Sequence, residues 1–198
     1  MIIWINGAFG SGKTNTAYEL KWRIPNAFVY DPEEVGFFIR DNMPTELQLD
    51  DFQNFPMWRE FNFEMLKYIY NEYKGAIIVP MTITNESYFN EIVARIRRDN
   101  MQLKHFTLMA NKETLIKRLR KRGDGKNSWP AQQIDRCVKS LSSKIFDEHI
   151  DTDDMTITQV VEYIAKVCDI ELLPDNRNWL ERKRDKISIW LKHIRLWK

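Results

Sequence analysis

One short segment has residue types and spacing that can bind phosphate. It matches G-x-x-x-x-G-K-[ST] at every position. Its residues are Gly7, Ala8, Phe9, Gly10, Ser11, Gly12, Lys13 and Thr14. Glycines let the backbone turn tightly, so that its N–H groups and the positive end of the following helix bind phosphate oxygens. Lys13 is spaced to reach the β- and γ-phosphates and Thr14 to ligate Mg²⁺. We predict an ATP-binding loop, since the chain lacks an N-K-x-D guanine motif.

A carboxylate, Asp31, follows the second predicted strand, at the edge where doubly wound sheets bind ligands. It could hold a Mg²⁺-bound water or accept a proton from a substrate hydroxyl. The alternative is an aspartate that only forms a turn before Pro32. The third predicted strand ends in Thr82 and Thr84 without a Walker B aspartate. Mg²⁺ would then depend on Thr14, water and Asp31.

Basic residues surround a polar loop, residues 123–130, in the second half of the chain. Arg118 and Arg122 share one face near the end of a predicted helix, and Arg136 follows the loop. Small kinases close such a lid over the phosphates, bringing cations to the charge that develops in phosphoryl transfer. We expect Arg122 to act in catalysis and Arg118 and Arg136 to bind nucleotide, with Lys126 as a further candidate. The alternative is a solvated helix with basic residues at its negative end.

A second group of residues could face a substrate. It combines aromatic rings with guanidinium groups, which can hold a ring or a phosphate. Its members are Phe37, Arg40, Trp58 and Arg59. Core aromatics beside surface arginines explain the same residues equally well.

The elements that position these residues alternate along the chain. Strands are predicted over residues 2–6, 27–30, 76–83, 103–110 and 147–153. Helices are predicted over residues 13–23, 33–42, 57–73, 86–99, 111–122, 131–142 and 156–168, and residues 43–56 look irregular. This alternation predicts an α/β fold of the P-loop NTPase type: a parallel five-stranded sheet with helices on both faces, small-kinase-like, plus a C-terminal amphipathic helix.

Composition narrows the class of protein further. The chain has 198 residues, of which 43% are hydrophobic and 29% charged, which is typical of a globular domain. No apolar stretch has the roughly 20 residues that a spanning helix needs, and no secretory signal precedes the first strand. Cys137 and Cys168 match no metal or redox spacing. We therefore expect free thiols and a cytoplasmic protein.

The net charge of +2 is unevenly distributed. Residues 177–198 carry eight basic and two acidic side chains, a charge of +6, and hold three of the seven tryptophans. Residues 1–176 carry 22 basic and 26 acidic side chains, a charge of −4. We therefore predict a kinase-like ATP-binding domain over residues 1–170 and a basic helical segment over residues 171–198.

Within that segment an apolar stripe recurs at helical spacing. It comprises Trp179, Leu180, Ile187, Trp190, Leu191, Ile194 and Trp197, while Ile189 and Leu196 fall off it and Lys183 intrudes. Tryptophan beside basic residues suits a helix that lies on anionic lipid, here at the inner face of the cell membrane. The alternative is a last helix packed on the domain. A nucleic-acid partner is not expected, because residues 1–176 have a net negative charge and no recognition motif is present.

Several segments together resemble the tunicamycin-resistance ATP-binding proteins of bacilli. They are MIIWINGAFGSGKT, VYDPEEVGF, IIVPMTIT, FTLMANKETLIKRLRKRGDGKNSW and QIDRCVKSLSS, and the resemblance extends to HIRLWK at the end. It implies a nucleoside-monophosphate-kinase-like fold, ATP binding through Gly7 to Thr14, resistance to the nucleoside antibiotic tunicamycin, and peripheral membrane association.

Three functions are compatible with these residues. The first is an ATP-dependent phosphotransferase acting on tunicamycin or a related nucleoside, with Lys13, Asp31 and Arg122 in catalysis. The second is a protein that sequesters the drug at the membrane without modifying it. The third is a nucleotide or sugar kinase. All three involve ATP, Mg²⁺ and a small-molecule ligand.

Overall fold

Five parallel strands form one sheet at the centre of the molecule. The computed structural model describes residues 1–193, apart from the side chains of residues 186 and 190–193. The strands are β1 (Ile2–Gly7), β2 (Ala27–Val29), β3 (Ala76–Pro80), β4 (Leu103–Met109) and β5 (His149–Asp151). Their order is β2-β3-β1-β4-β5, and Trp4 of β1 lies between Val79 and His105. The prediction of a five-stranded parallel α/β sheet is confirmed.

Helices cover both faces of this sheet. They are α1 (Lys13–Arg23), α2 (Pro32–Asp41), α3 (Pro56–Glu72), α4 (Glu86–Phe89), α5 (Arg95–Arg98), α6 (Lys112–Arg122), α7 (Trp129–Gln132), α8 (Ile134–Leu141), α9 (Ile157–Val167) and α10 (Trp179–His193). A π-helical segment, Asn90–Ala94, joins α4 to α5. Short 3-10 turns occupy Thr45–Leu47, Phe52–Asn54 and Lys144–Phe146.

The central strand β1 explains why the core has two halves. Ile2 and Trp4 point into one apolar cluster and Ile3 and Ile5 into the other. All four are fully buried, so β1 is an unbroken apolar run rather than an alternating one. Its carboxyl end, at Gly7, therefore lies at the middle of the sheet edge, where ligands bind in doubly wound folds.

The observed elements differ from the sequence expectations in a few places. The strand predicted over residues 76–83 ends at Pro80, because the following residues bend towards the end of β1: Thr82 Oγ1 donates to the Gly7 carbonyl at 2.8 Å. The helix predicted over residues 131–142 begins earlier and is divided into α7 and α8. The predicted loop is correspondingly shorter.

The beginning of the C-terminal segment is bound to α1. Arg177 donates both to Glu19, at 2.6 and 2.7 Å, and to Asp175, and its guanidinium lies 4.2 Å from the centre of the Trp22 ring. Asp185 adds a longer ion pair at 3.4 Å. Part of the positive charge of residues 177–198 is therefore neutralised within the protein.

Helix α10 packs one side on the domain and leaves other apolar side chains in solvent. Ile189, which falls off the predicted stripe, is buried, whereas Trp179 and Leu180 are about two thirds exposed and Ile187 is half exposed. The predicted stripe residues Trp190 and Leu191 have undescribed side chains, and Ile194 and Trp197 lie outside the described residues. Among the described residues, no helix is long and apolar enough to cross a membrane.

Candidate active site

The predicted phosphate-binding loop lies between β1 and α1. Gly7 has φ +146°, and a Cβ there would lie 2.5 Å from Ser11 Oγ and 2.8 Å from the Leu108 carbonyl, so only glycine fits. Gly12, at φ +100°, caps α1 in a left-handed conformation. The loop thus turns sharply and places its backbone at the N-terminus of an eleven-residue helix.

Two side chains in the loop fit a phosphate ligand. Ser11 Oγ is buried and has no hydrogen-bond partner among the described residues. Lys13 is 9% exposed, and its ammonium donates to the carbonyls of Gly7 and Ala8 at 2.9 and 3.1 Å. Burial lowers the pKa of Lys13 to about 8, and the charge of Glu33 opposes this lowering more than that of Asp31 does. The loop therefore holds a buried cation beside an unused hydroxyl.

Two carboxylates of the YDPEE segment lie at the start of α2, close enough to act on the Lys13 charge. Asp31 is the N-cap, and its Oδ1 accepts from the Glu33 backbone N–H at 3.0 Å. Pro32 occupies the first helical position, where its fixed φ suits the helix. Glu33 itself lines the cleft that opens beside the loop. Sequence reasoning selected Asp31 and missed Glu33, although the strand end it identified carries both.

That cleft is bounded by the phosphate-binding loop, α2, residues 50–53, the end of β3 and the start of α7. Its apolar lining is Phe9, Phe37, Phe52, Met81 and Trp129, and its polar lining is Glu33, Arg40, Asp50, Asp51, Gln53, Thr82, Thr84 and Arg136. The rings of Phe9 and Trp129 meet edge to face at 5.0 Å, so α7 contacts the loop directly. Aromatic walls with carboxylates suit a small ring-containing ligand that carries hydroxyl groups.

The three predicted lid arginines occupy different positions. Arg136 lines the cleft, where it donates to Thr84 Oγ1 at 3.1 Å and to Gln133 Oε1 at 2.9 Å. Arg122 forms an ion pair with Asp124 at 2.6 Å, and its charge contributes to the lowered pKa of Lys13. Arg118 donates to the Thr152 side chain at 3.1 Å and to its carbonyl, which joins α6 to the end of β5.

The four residues proposed to face a substrate divide into two pairs. Phe37 and Arg40 line the cleft, and Arg40 lies 5.9 Å from the centre of the Phe52 ring. Trp58 is fully buried and donates to the Pro32 carbonyl at 3.0 Å, so it is a core residue. Arg59 is buried behind residue 53 and is not part of the cleft lining.

The loop can contribute to a metal site together with the phosphates. No group of three or more His, Cys, Asp or Glu side chains in the described part of the chain could hold a metal ion. Thr14, half-buried in the first turn of α1, has the hydroxyl that P-loop proteins use for Mg²⁺. A bound Mg²⁺ would neutralise phosphate charge, and Thr14 with Asp31 are the residues proposed to hold it.

Comparison with known proteins agrees with this geometry. A family model described as an AAA domain matches residues 2–143, which is most of the chain. The chain belongs to this AAA-domain family. No sequence among the curated proteins matches it. The matched residues include the phosphate-binding loop, the predicted lid over residues 123–130 and all of the cleft lining.

Solved structures show that this AAA-domain protein has a P-loop kinase-like fold. The Deinococcus radiodurans tunicamycin resistance protein is 32% identical, with 87% of this chain and 98% of that chain covered and a TM-score of 0.74. A Janibacter sugar kinase is 16% identical, with 85% of this chain and 94% of that chain covered and a TM-score of 0.62. Shikimate kinase of Bacteroides thetaiotaomicron is 14% identical, with 86% of this chain and 99% of that chain covered and a TM-score of 0.58. The resemblance predicted from the sequence is confirmed, and the P-loop kinase-like fold is one that binds ATP with Mg²⁺.

The lowered pKa of Lys13 predicts how nucleotide binding responds to pH. Bound phosphate favours the ammonium form, so above pH 8 binding must restore a proton that the free protein has lost. The Kd for ADP should therefore rise about tenfold per pH unit above pH 8 and stay level below it. Calorimetric titration across this range measures the slope, with the surface variant Lys21→Met as a control that keeps it. A level profile in the wild type would contradict the prediction.

Proposed function

We propose that this protein transfers the γ-phosphoryl group of ATP to a hydroxyl of a nucleoside-type small molecule, tunicamycin being the first candidate. One observation carries the proposal: the cleft is bounded on one side by Phe9, whose ring centre lies 5.7 Å from the Lys13 ammonium, and on another by Glu33. A carboxylate, a buried cation and a ring-sized cleft thus lie in one place. This is the arrangement that phosphoryl transfer to a hydroxyl needs.

Each group has one part in the reaction. Glu33 accepts the proton of the acceptor hydroxyl, whose oxygen forms a bond to the γ-phosphorus. The bond between that phosphorus and the β–γ bridging oxygen breaks, and ADP leaves. Lys13 stabilises the charge on the transferring group, and Arg136, in the cleft, or Arg122, at the lid, adds a second cation. Asp31 fixes the start of α2, and with it the position of Glu33.

The test of this proposal is a measurement of the mass of tunicamycin after incubation with the protein. Protein, ATP, Mg²⁺ and tunicamycin are incubated, and mass spectrometry measures the drug while a coupled assay measures ADP. A product heavier by one phosphate, formed together with ADP, is expected. Unmodified tunicamycin under conditions in which ATP binds would overturn the proposal, and a panel of nucleosides and sugars in the same assay would reveal a kinase of another substrate.

A drug-sequestering protein is the second candidate, and the end of β3 favours it. Thr82 and Thr84 stand at the strand end where motor ATPases have the Walker B aspartate, and a protein without that carboxylate could bind ATP and turn it over slowly. This function predicts tunicamycin binding that needs nucleotide and gives no product. Titration of the drug with and without ADP and Mg²⁺ distinguishes it from phosphoryl transfer.

We also propose that α10 contacts an anionic membrane surface. Trp179, Leu180 and Ile187 are exposed apolar side chains on a helix rich in lysine and arginine, although Arg177 is already paired within the protein. Such a helix lies in the lipid interface with its apolar residues inserted.

Changing these three residues to serine should lower binding to phosphatidylglycerol vesicles at least about tenfold, because inserted apolar area is lost. The matched control is Phe38→Ser, since Phe38 is equally exposed but lies on α2. Vesicle co-sedimentation measures both variants, with phosphatidylcholine vesicles for comparison. If the wild-type protein binds neither kind of vesicle, the membrane proposal is overturned.

A further inference from the structure

Arg59 lies in the first turn of α3 with its side chain directed behind the cleft. It is only 8% exposed. Its Nη1 donates to the Gln53 carbonyl at 2.6 Å, its Nε to Glu91 Oε2 at 2.5 Å, and its guanidinium lies 4.2 Å from the centre of the Tyr88 ring. A buried guanidinium is costly unless it is paired, so these contacts define one position for it.

What Arg59 holds is a wall of the cleft. Residues 50–53 all line the cleft, yet they belong to the segment between α2 and α3, whose regular structure is limited to two short 3-10 turns. Arg59 donates to this segment at the Gln53 carbonyl. The Tyr88 hydroxyl donates to the side chain of the next residue, Asn54, at Oδ1 and 2.9 Å. The wall is therefore fixed from behind by two side chains that do not line the cleft.

The same wall is bonded to the phosphate-binding loop. Gln53 Nε2 donates to the Thr82 carbonyl at 3.1 Å, and Thr82 Oγ1 donates to the Gly7 carbonyl at 2.8 Å. That carbonyl also accepts from Lys13. A continuous chain of contacts thus runs from Arg59 to the lysine that would bind the γ-phosphate.

We propose that Arg59 is a positioning residue for the acceptor: it sets the distance between the wall at residues 50–53 and the phosphate-binding loop. The proposal rests on the proposed function, since it concerns the acceptor half of that site. Loss of Arg59 should loosen the wall but leave the loop's own hydrogen bonds in place. Acceptor binding should therefore suffer far more than ATP binding.

The chain offers a control with similar contacts in Arg95, whose side chain is more exposed than that of Arg59. It also pairs with a glutamate, Glu60 at 2.5 Å, and lies over an aromatic ring, Phe63 at 3.6 Å, but it does not contact the cleft segment. Arg59→Met should raise KM for tunicamycin about tenfold, the effect of losing one charge-assisted hydrogen bond, with KM for ATP within about twofold of wild type. Arg95→Met should change neither KM. A purely structural role for Arg59 would instead lower the active fraction and leave both KM values unchanged.

Milder variants keep the test valid if Arg59→Met fails to fold. Tyr88→Phe removes the bond to Asn54 but keeps the ring under the guanidinium, and Glu91→Gln weakens one arm of Arg59. Each should raise KM for tunicamycin about threefold without changing KM for ATP. Arg59→Lys should recover part of the loss, because an ammonium can reach one partner but not both.

Hydrogen exchange separates this proposal from the proposed function. The backbone N–H groups of residues 53–55 are bonded within the segment, to Asp51 Oδ1 and to the carbonyls of Asp51 and Phe52. They should exchange faster in Arg59→Met and Tyr88→Phe than in Arg95→Met. If tunicamycin is never phosphorylated, the proposed function fails. The positioning role then stands where Arg59→Met weakens tunicamycin binding, leaves ATP binding unchanged and raises exchange as expected. Equal exchange in the three variants, or equal acceptor KM values where turnover is measurable, would overturn the positioning role.

Discussion

Replacing Lys13 with methionine is expected to lower kcat for phosphoryl transfer about 10³-fold, the loss typical of removing one preorganised charge from a transferring group. The folded protein should not lose stability. Burial lowers the pKa of Lys13 to about 8, which means that the fold disfavours its charge. Methionine has a similar length without that charge, so the melting temperature should stay level or rise. Steady-state kinetics and thermal unfolding measure the two effects.

The matched control for this variant is on the same helix. Lys21 lies on the exposed side of α1, 5.9 Å from the centre of the Tyr18 ring, and Lys21→Met should leave kcat unchanged. A Lys13→Met enzyme within about tenfold of wild-type kcat would show that Lys13 does not stabilise the moving charge. A large loss accompanied by unfolding would show that its contacts with Gly7 and Ala8 are structural instead.

The phosphate-binding loop was predictable because its chemistry is local. Gly7 and Gly12 need backbone conformations that other residues rarely adopt, and Lys13 must follow at a fixed spacing, so the pattern is written in eight consecutive residues. The sheet was predictable for a related reason. Its central strands are buried on both faces and are therefore short, continuous apolar runs, as in Ile2–Gly7.

The opposite wall of the cleft was not predictable, because it forms through contacts between distant segments. Residues 50–53 have no regular pattern in the sequence, and they are fixed by Arg59 and by the Thr82 carbonyl, 29 positions away from Gln53. Arg59 was predicted to face a substrate, since a sequence shows that an arginine is present but not which way it points. Glu33 was not singled out, because Asp31 is the residue that directly follows the predicted strand, whereas Glu33 was assigned to the predicted helix. That Glu33 lines the cleft is visible only in the structure.

The buried side of α10 depended on packing as well. Periodicity alone selected a stripe that includes Trp179 and Ile187, and these side chains are exposed. Among the side chains of α10 that the structure describes, the buried one is Ile189, which falls off that stripe, because Arg177 and Asp185 fix the rotation of the helix on α1. A hydrophobic pattern identifies an amphipathic helix, but packing against the rest of the domain determines which face of the helix is buried.

Substitutions of Glu33 and of Asp31 are expected to change kcat by very different amounts, and this difference identifies the general base. Glu33→Gln is expected to lower kcat about 10²- to 10⁴-fold with KM for ATP unchanged, because the amide cannot accept the hydroxyl proton. Asp31→Asn should cost less than about tenfold, since asparagine caps a helix as well as aspartate, keeps the bond to the Glu33 backbone N–H and retains an oxygen for a Mg²⁺-bound water. Glu34→Gln is the control: Glu34 is the next residue of α2 but lines a separate groove with Phe38 and Met57.

The pH dependence of kcat gives a second readout of the same assignment. A carboxylate base must be ionised, so activity should fall as the pH drops through the pKa of the base in the ternary complex, and this acidic limb should disappear in Glu33→Gln. If Asp31→Asn causes the larger loss and removes the acidic limb, Asp31 is the base and Glu33 only shapes the cleft. If neither variant slows turnover, the hydroxyl loses its proton to the phosphate itself, and the two carboxylates serve only to hold α2 and the acceptor in place.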